Sequence, residues 1–488
     1  MRSNYYTNVP LHLQMLSENQ LEELHLATLE VLRRTGVDVL EEEARELLKK
    51  AGAKVDGVRV RIPPHLVEWA VRTAPSRVVL CDRDGNPAIY LEDSKGYYGT
   101  GSDTHNIIDP YIGERRRTVK ADIANVAKLC DYLPNIDFVM CMGIAHNVTM
   151  SISDLHHFEA MVNNTKKPIV FTAWSLENLK DIIEMAEATA GGSEALRYNP
   201  FIALYGEPIS PLSLALEGTE KLLYMANKGL PQVWTPGISQ GATAPVTLAG
   251  TVVQGNAESL VGLTVAQLKR EGAPFIYGGA ALLMDMSTTV AAYNAPEFLM
   301  ALAAWADLAH YYKLPVWSFA GCSDSKVFDQ QAALEGAMIT FVAAFSGGNL
   351  IHDVGYIESG LTTSFEMLVV SDEAIGMVKR FMQGIEVNEE TLALDVIDKV
   401  GPGGHFLAED HTYRHFRENW FPKLIDRGNY ESWVEEGKRT LGQRASDKVK
   451  EILETHTPEP LPEEVKEELS KIIERAERRA SEESAQAD

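Results

Sequence analysis

The sequence predicts an α/β fold, a (β/α)8 TIM barrel with an N-terminal helical cap carrying a hairpin and a C-terminal helical extension. Three observations lead there. Eight short apolar runs begin near Tyr97, Phe138, Ile169, Phe201, Val233, Phe275, Val316 and Leu350, spaced roughly 30 to 43 residues apart. Segments of helical period lie between most of them. The runs are rich in Val, Ile, Phe and Tyr, as parallel strands buried on both faces should be. A doubly wound open sheet is the competing architecture, but no GxGxxG follows the first run.

The elements follow in order. Ser17 and Gln20 make a capping-box pattern before the amphipathic run Leu21, Leu24, Leu26, Leu29, Val31 and Leu32, which stops at Gly36. A second helix is expected from Glu41 to Lys50, and a third opens at Pro63-Pro64. Asp84-Gly85 between Val78-Val79-Leu80 and Ala88-Ile89-Tyr90-Leu91 predicts a hairpin. Residues 1–95 are therefore expected to form the cap, 96–380 the barrel, and 381–488 the extension. Beyond Ser371 the chain reads as helical, interrupted at Gly401-Pro402-Gly403-Gly404. The terminal helix after Pro458, Pro460 and Pro462, with intermixed Glu, Lys and Arg, is expected to be solvated and frayed.

Composition narrows the function. With 45 Lys and Arg against 69 Asp and Glu, the 488-residue chain carries a net charge of −24. Such a surface repels nucleic-acid phosphates and anionic lipid. Hydrophobic content of 45% with 23% charged residues is ordinary for a globular chain. No apolar stretch reaches the roughly 18 residues of a membrane span. The opening Met1-Arg2-Ser3-Asn4-Tyr5-Tyr6 has no apolar h-region, so a cytoplasmic protein is expected. The four cysteines, Cys81, Cys130, Cys141 and Cys322, lack CxxC spacing, which argues against a disulfide framework or a zinc knuckle.

Active sites of barrels lie at the C-terminal strand ends, so the polar residues after each apolar run carry the functional reading. Here nearly every end has a glycine and five have a Tyr or Trp, a composition suited to a cation-binding cage. His352 with Asp353, at the eighth end, is the strongest individual candidate: a donor, a general base or a metal ligand. Asp103, Glu207, Asp324 and Glu358 are further carboxylates near the mouth; salt bridges or helix caps explain each as well as acid–base chemistry does. His411 and His415 stand at i,i+4 as in zinc helices, but without an intervening HExxH glutamate. His156 and His157 are adjacent and face different directions. The expectation is no bound metal.

Several motifs together resemble the trimethylamine methyltransferase family: Arg61-Ile62-Pro63-Pro64, Phe319-Ala320-Gly321-Cys322-Ser323-Asp324-Ser325-Lys326 with Asp329-Gln330-Gln331-Ala332, Ser346 through Tyr356, and Gly403-Gly404-His405-Phe406-Leu407 with His411-Thr412. The resemblance extends over almost the whole chain. It implies a TIM-barrel enzyme moving a methyl group from an amine to the cobalt of a separate corrinoid protein, which docks at the barrel mouth. No cofactor is then tightly bound to this chain, and a homo-oligomer is expected. Founding members carry pyrrolysine; this sequence has only the standard twenty residues, so it resembles the branch without it, best known for glycine betaine:corrinoid methyltransferase. Other betaines (proline betaine, carnitine, butyrobetaine), trimethylamine, a non-catalytic betaine-binding barrel and a carboxylate-paired lyase or hydrolase are the alternatives. On this reading Tyr97, Tyr205, Trp234 and Tyr356 form the cage, with Asp103 beside it. Glu207 or Glu358 supplies charge, and Asp324 is a further catalytic carboxylate. His352, or backbone amides at glycines such as Gly321, holds the substrate carboxylate.

Overall fold

The computed structural model describes residues 11–487; the opening Met1-Arg2-Ser3-Asn4-Tyr5-Tyr6 lies outside them. Eight strand segments are numbered here as barrel strands: β1 (Tyr97–Tyr98), β2 (138–139), β3 (Ile169–Phe171), β4 (Ile202–Gly206), β5 (Gln232–Trp234), β6 (Phe275–Tyr277), β7 (Trp317–Phe319) and β8 (Leu350–His352). Parallel ladders join β3 to β4, β4 to β5, β5 to β6, β7 to β8, and β8 to β1. Single parallel bridges complete the ring: Gly99 to Phe138, Val139 to Ile169, and Tyr277 to Val316. All eight apolar runs of the sequence are strands of this ring, and a long helix follows each: Lys120–Tyr132, Ser153–Asn164, Leu176–Ala190 (with the short Ser193–Tyr198 after it), Leu216–Lys228, Leu248–Lys269, Pro296–Tyr312, Gln330–Phe345 and Phe365–Met382.

Side chains alternate across a strand, so one phase of each faces the barrel axis. Phe138, Val170, Ala203, Val233, Ile276, Trp317 and Leu350 form one buried cluster, with Tyr97 packed against it. The hairpin Val78–Cys81 with Pro87–Leu91 adds Val78, Leu80, Ile89 and Leu91 to that cluster. It meets the strand beginnings, where the Cys81 amide donates to the Pro200 carbonyl and the Arg83 amide to that of Lys166. The hairpin closes the floor of the barrel and leaves the opposite end as the mouth.

The N-terminal helices run Glu18–Glu30, Glu42–Lys50 and Pro64–Thr73, the first with its Ser17–Gln20 capping box formed. Gly36 ends the first segment at φ +72, and a Cβ there would strike the Val60 carbonyl. Between the helices lie three-residue strands, Val37–Val39, Lys54–Asp56 and Arg59–Arg61, too short to show a period in the sequence. Val37–Val39 also pairs with Ser213–Leu214, beyond β4, so this region is tied to the barrel wall by backbone bonds.

The terminal helix Glu463–Ala487 departs from expectation. Leu469, Ile472, Ala476 and Ala480 are buried, an i,i+3,i+4 stripe whose two alanines are easily passed over among the charges. Arg475 pairs with Asp181 and Glu184, and Arg479 with Asp181, on the Leu176–Ala190 helix. The helix is docked on the barrel, not solvated. Ile472→Ala should therefore lower stability by about 2–5 kcal/mol in denaturant melts, where a solvated helix would lose less than about 0.5 kcal/mol.

Candidate functional site at the barrel mouth

Two residues beyond the floor layer, the same inward phase places Thr172, Tyr205, Thr235, Phe319 and His352 higher in the barrel. The aromatic members form a continuous wall across β4, β7 and β8. Ring centroids lie 5.5 Å apart for Tyr205 and Trp317, 4.2 Å for Trp317 and His352, and 4.4 Å for Phe319 and His352. Tyr293, from the connection after β6, adds a ring 6.4 Å from Phe319.

Asp353 belongs to the outward phase but stands at φ +71, which swings its carboxylate to 3.1 Å from His352 Nε2. A Cβ at Gly101 would overlap both that carboxylate and the Tyr356 ring, so only glycine fits there. His352 Nδ1 lies 2.8 Å from the Ser318 carbonyl, which can only accept, so Nδ1 carries the ring proton. Burial drives the imidazole pKa down to about 3, so the ring is neutral and Nε2 offers a lone pair. The Asp353 carboxyl stands beside it, and burial and the charge of Glu207 hold its pKa well above the carboxylate range.

Glu207 stands just past β4, surrounded by protein yet retaining solvent-accessible surface, and the Tyr205 hydroxyl donates to its Oε1. Burial raises its carboxyl pKa, with the charge of Asp103 adding to the rise and the Tyr205 bond opposing it. Asp103 accepts from Cys141 Sγ at 3.4 Å and Thr172 Oγ1 at 3.3 Å, and burial raises its pKa too. No Lys or Arg forms an ion pair with Asp103, Glu207 or Asp353 among the described residues.

Asp103, Glu207, Tyr205, His352 and Tyr356 thus share one region, with the Tyr356 hydroxyl donating to the Ser102 carbonyl. The other candidates lie elsewhere. Trp234 is on the outward phase, packed against the Leu248–Lys269 helix, its Nε1 3.2 Å from the Glu258 carbonyl. Tyr97 pairs with Leu350 at the floor end of β1. Asp324 accepts from the Tyr293 and Asn294 amides and the Ser359 hydroxyl, a clamp between two loops. Glu358 is ion-paired with Arg115 at 2.9 Å. Gly321 faces Val354 and Ser371 of the barrel wall. The one ring proton of His352 is given to the Ser318 carbonyl, so it has no donor left for a substrate carboxylate. Trp317, Phe319 and Tyr293 were absent from the sequence candidates. The i,i+2 phase shared by Trp317 and Phe319 was the available signal; Tyr293 had none.

Ligand atoms of Asp103, Cys141 and His157 come within 4.8 Å of one another. The Ala145 amide donates to His157 Nε2 at 3.0 Å, which leaves the ring proton on Nδ1 and no free lone pair. Cys141 bonds to Asp103 and His157 to the Ala145 amide, so the three are held by separate hydrogen bonds and not arranged as a metal centre.

The description trimethylamine methyltransferase (MTTB) matches residues 3–481 of this chain. The chain is 38% identical to a trimethylamine methyltransferase MttB of Desulfitobacterium hafniense, over 94% of this chain and 93% of that one. It is 34% identical to one from Methanosarcina barkeri over 96% of both, and 30% identical to a glycine betaine methyltransferase of Desulfitobacterium hafniense over 94% and 96%. The crystal structure of the hydroxylamine MtmB complex matches with a TM-score of 0.52 at 12% identity, covering 96% of this chain and 88% of that one, a likeness of fold. Because Trp234 is wall packing, Trp234→Phe should lower the melting temperature while leaving substrate KM unchanged, checked by calorimetry beside steady-state kinetics.

Proposed function

This chain belongs to the trimethylamine methyltransferase (MTTB) family, and from that premise we propose that it demethylates a quaternary amine, glycine betaine first among the candidates, with a corrinoid protein as methyl acceptor. The observation that carries this reading is the mouth itself: Glu207 and Asp103, without a basic partner, in the region walled by Tyr205, Trp317, Phe319 and Tyr293. A fixed cation is the ligand that such a site lacks. A carboxylate about 5 Å from a quaternary nitrogen contributes roughly 3 kcal/mol at an effective dielectric near 20, and each aromatic face about 1–2 kcal/mol.

A quaternary nitrogen already carries its positive charge, so it departs as a neutral tertiary amine when a nucleophile displaces one methyl. No proton donor is needed in that step. The chain's task is to orient one methyl toward the mouth, exclude water and hold the ammonium, which is catalysis by proximity. Tyr205 fixes the Glu207 carboxylate by its hydrogen bond. Trp317 Nε1 and Thr235 Oγ1, buried without a protein partner, are the donors we assign to a substrate carboxylate. The reduced corrinoid of the partner supplies the nucleophile.

Trimethylamine is the second reading, favoured by the 38% identical relative of that name. Trimethylamine is protonated in neutral water, and its nitrogen leaves as a neutral amine only while it keeps that proton. Mixing the protein with cob(I)alamin under anoxia and adding each amine separately decides between them. Loss of the Co(I) spectrum with glycine betaine, together with dimethylglycine release, supports the first reading. Reaction with trimethylamine alone selects the second. Silence with both, and with other betaines plus a corrinoid protein, overturns catalysis.

Binding should also follow pH with a definite sign. Below its raised pKa the Glu207 carboxyl is protonated and offers no charge, so affinity for a quaternary ammonium tightens as pH rises through that raised pKa. Glu207→Gln should weaken binding by about thirtyfold to a hundredfold and flatten that pH profile, read by calorimetric titration.

A further inference from the structure

Outside the barrel, residues 383–440 run as short helices joined by turns, and Leu424 is their one buried side chain among the described residues. A stretch of that length with almost no core of its own ordinarily needs another source of order, such as a metal or a cross-link. We propose that Glu390, His411 and His415 form a zinc site that staples this stretch.

His411 and His415 stand one turn apart on the helix Asp410–His415, their ring centroids 4.3 Å apart. A carboxylate oxygen of Glu390, from the helix Glu389–Leu392, joins a nitrogen of each ring within 4.8 Å. The glutamate missing between the histidines in sequence is thus supplied from 21 residues upstream of His411. Around the trio stand the acceptors that metal-bound imidazoles use: His415 Nε2 lies 3.1 Å from Glu390 Oε1 while its Nδ1 lies 2.8 Å from Glu418 Oε1. His411 Nε2 lies 3.3 Å from the Glu390 carbonyl. A carboxylate or carbonyl behind each ring fixes its tautomer and leaves the other nitrogen as ligand. Two imidazoles and one carboxylate suit Zn2+, whereas Mg2+ and Ca2+ prefer all-oxygen sets.

Zinc takes the lone pair of a neutral imidazole, so a proton on His415 leaves to solvent as the metal enters. Arg414, 2.5 Å from Glu390 Oε1, gives up part of that pairing.

The test uses the full chain, stripped with chelator and dialysed against Zn2+, with metal counted by mass spectrometry. One zinc per chain is expected, bound about tenfold or more weakly after His411→Ala, His415→Ala or Glu390→Gln, and unchanged after Cys141→Ser. Far-ultraviolet circular dichroism verifies that each variant folds. Zinc should also slow proteolytic cleavage within residues 401–408 of the wild type. Co2+ in its place should give visible d–d bands without a thiolate charge-transfer band. The proposal is overturned if no saturable zinc binds, if binding survives the double histidine variant, or if a thiolate band appears and vanishes with Cys141→Ser.

Discussion

Parallel pairing around a closed ring gives each strand one inward phase, and that phase decides which residues share the barrel interior. Ala203 and Tyr205 follow one another inward along β4, as do Trp317 and Phe319 along β7, and Leu350 and His352 along β8. Trp234, one residue out of phase with Val233, is sent to the helices instead. A shift of one residue in any strand would exchange the wall of the site for the wall of the core. The chemistry of the mouth therefore depends on register, and register depends on the apolar runs.

Where the alternation is broken, the backbone bears the cost. Asp353 sits at positive φ without being glycine, a conformation costing about 1–3 kcal/mol, and it brings a second polar side chain beside His352. Gly101 opposite it clears the space. Such strain persists only where the surroundings fix it, here through the Tyr356 amide donating to the Asp353 carbonyl. The result is a neutral imidazole beside a carboxyl whose pKa burial raises, next to Glu207. An isolated carboxylate cluster would raise its own pKa values and neutralise itself; a protonated Asp353 leaves Glu207 as the group most accessible to solvent and to a cation.

The fold was largely legible because its signals are additive. Eight apolar runs at a regular pitch survive errors in any one of them, and the hairpin at Asp84-Gly85 and the Ser17–Gln20 box are local chemistry. The short strand Val37–Val39 escaped because three residues carry no period and its partner Ser213–Leu214 is remote in sequence. The docked terminal helix escaped because its stripe is half alanine. Site residues were harder. Strand-end position places Glu207, Asp103 and His352 in one region, but position alone does not separate Asp324, whose carboxylate caps two amides, from Glu207, whose carboxylate lines open space. Reading the inward phase would have excluded Trp234 and admitted Trp317 and Phe319. Nothing short of the folded chain would have delivered Tyr293.

The two substrate classes differ in how they hold their charge. Trimethylamine is cationic in neutral water only through a proton, and its nitrogen can leave as a neutral amine only while it keeps that proton in the site. Glu207, whose carboxyl pKa burial raises, stands where it can take the proton up and leave the nitrogen with a lone pair and no charge. A quaternary ammonium asks for no proton; its fixed charge stabilises ionised Glu207 while the His352–Asp353 pair stays neutral. The arrangement of charge at the mouth is therefore better matched to a substrate whose positive charge is fixed, and the pair's part is to keep one wall of the site polar without adding a second negative charge to it.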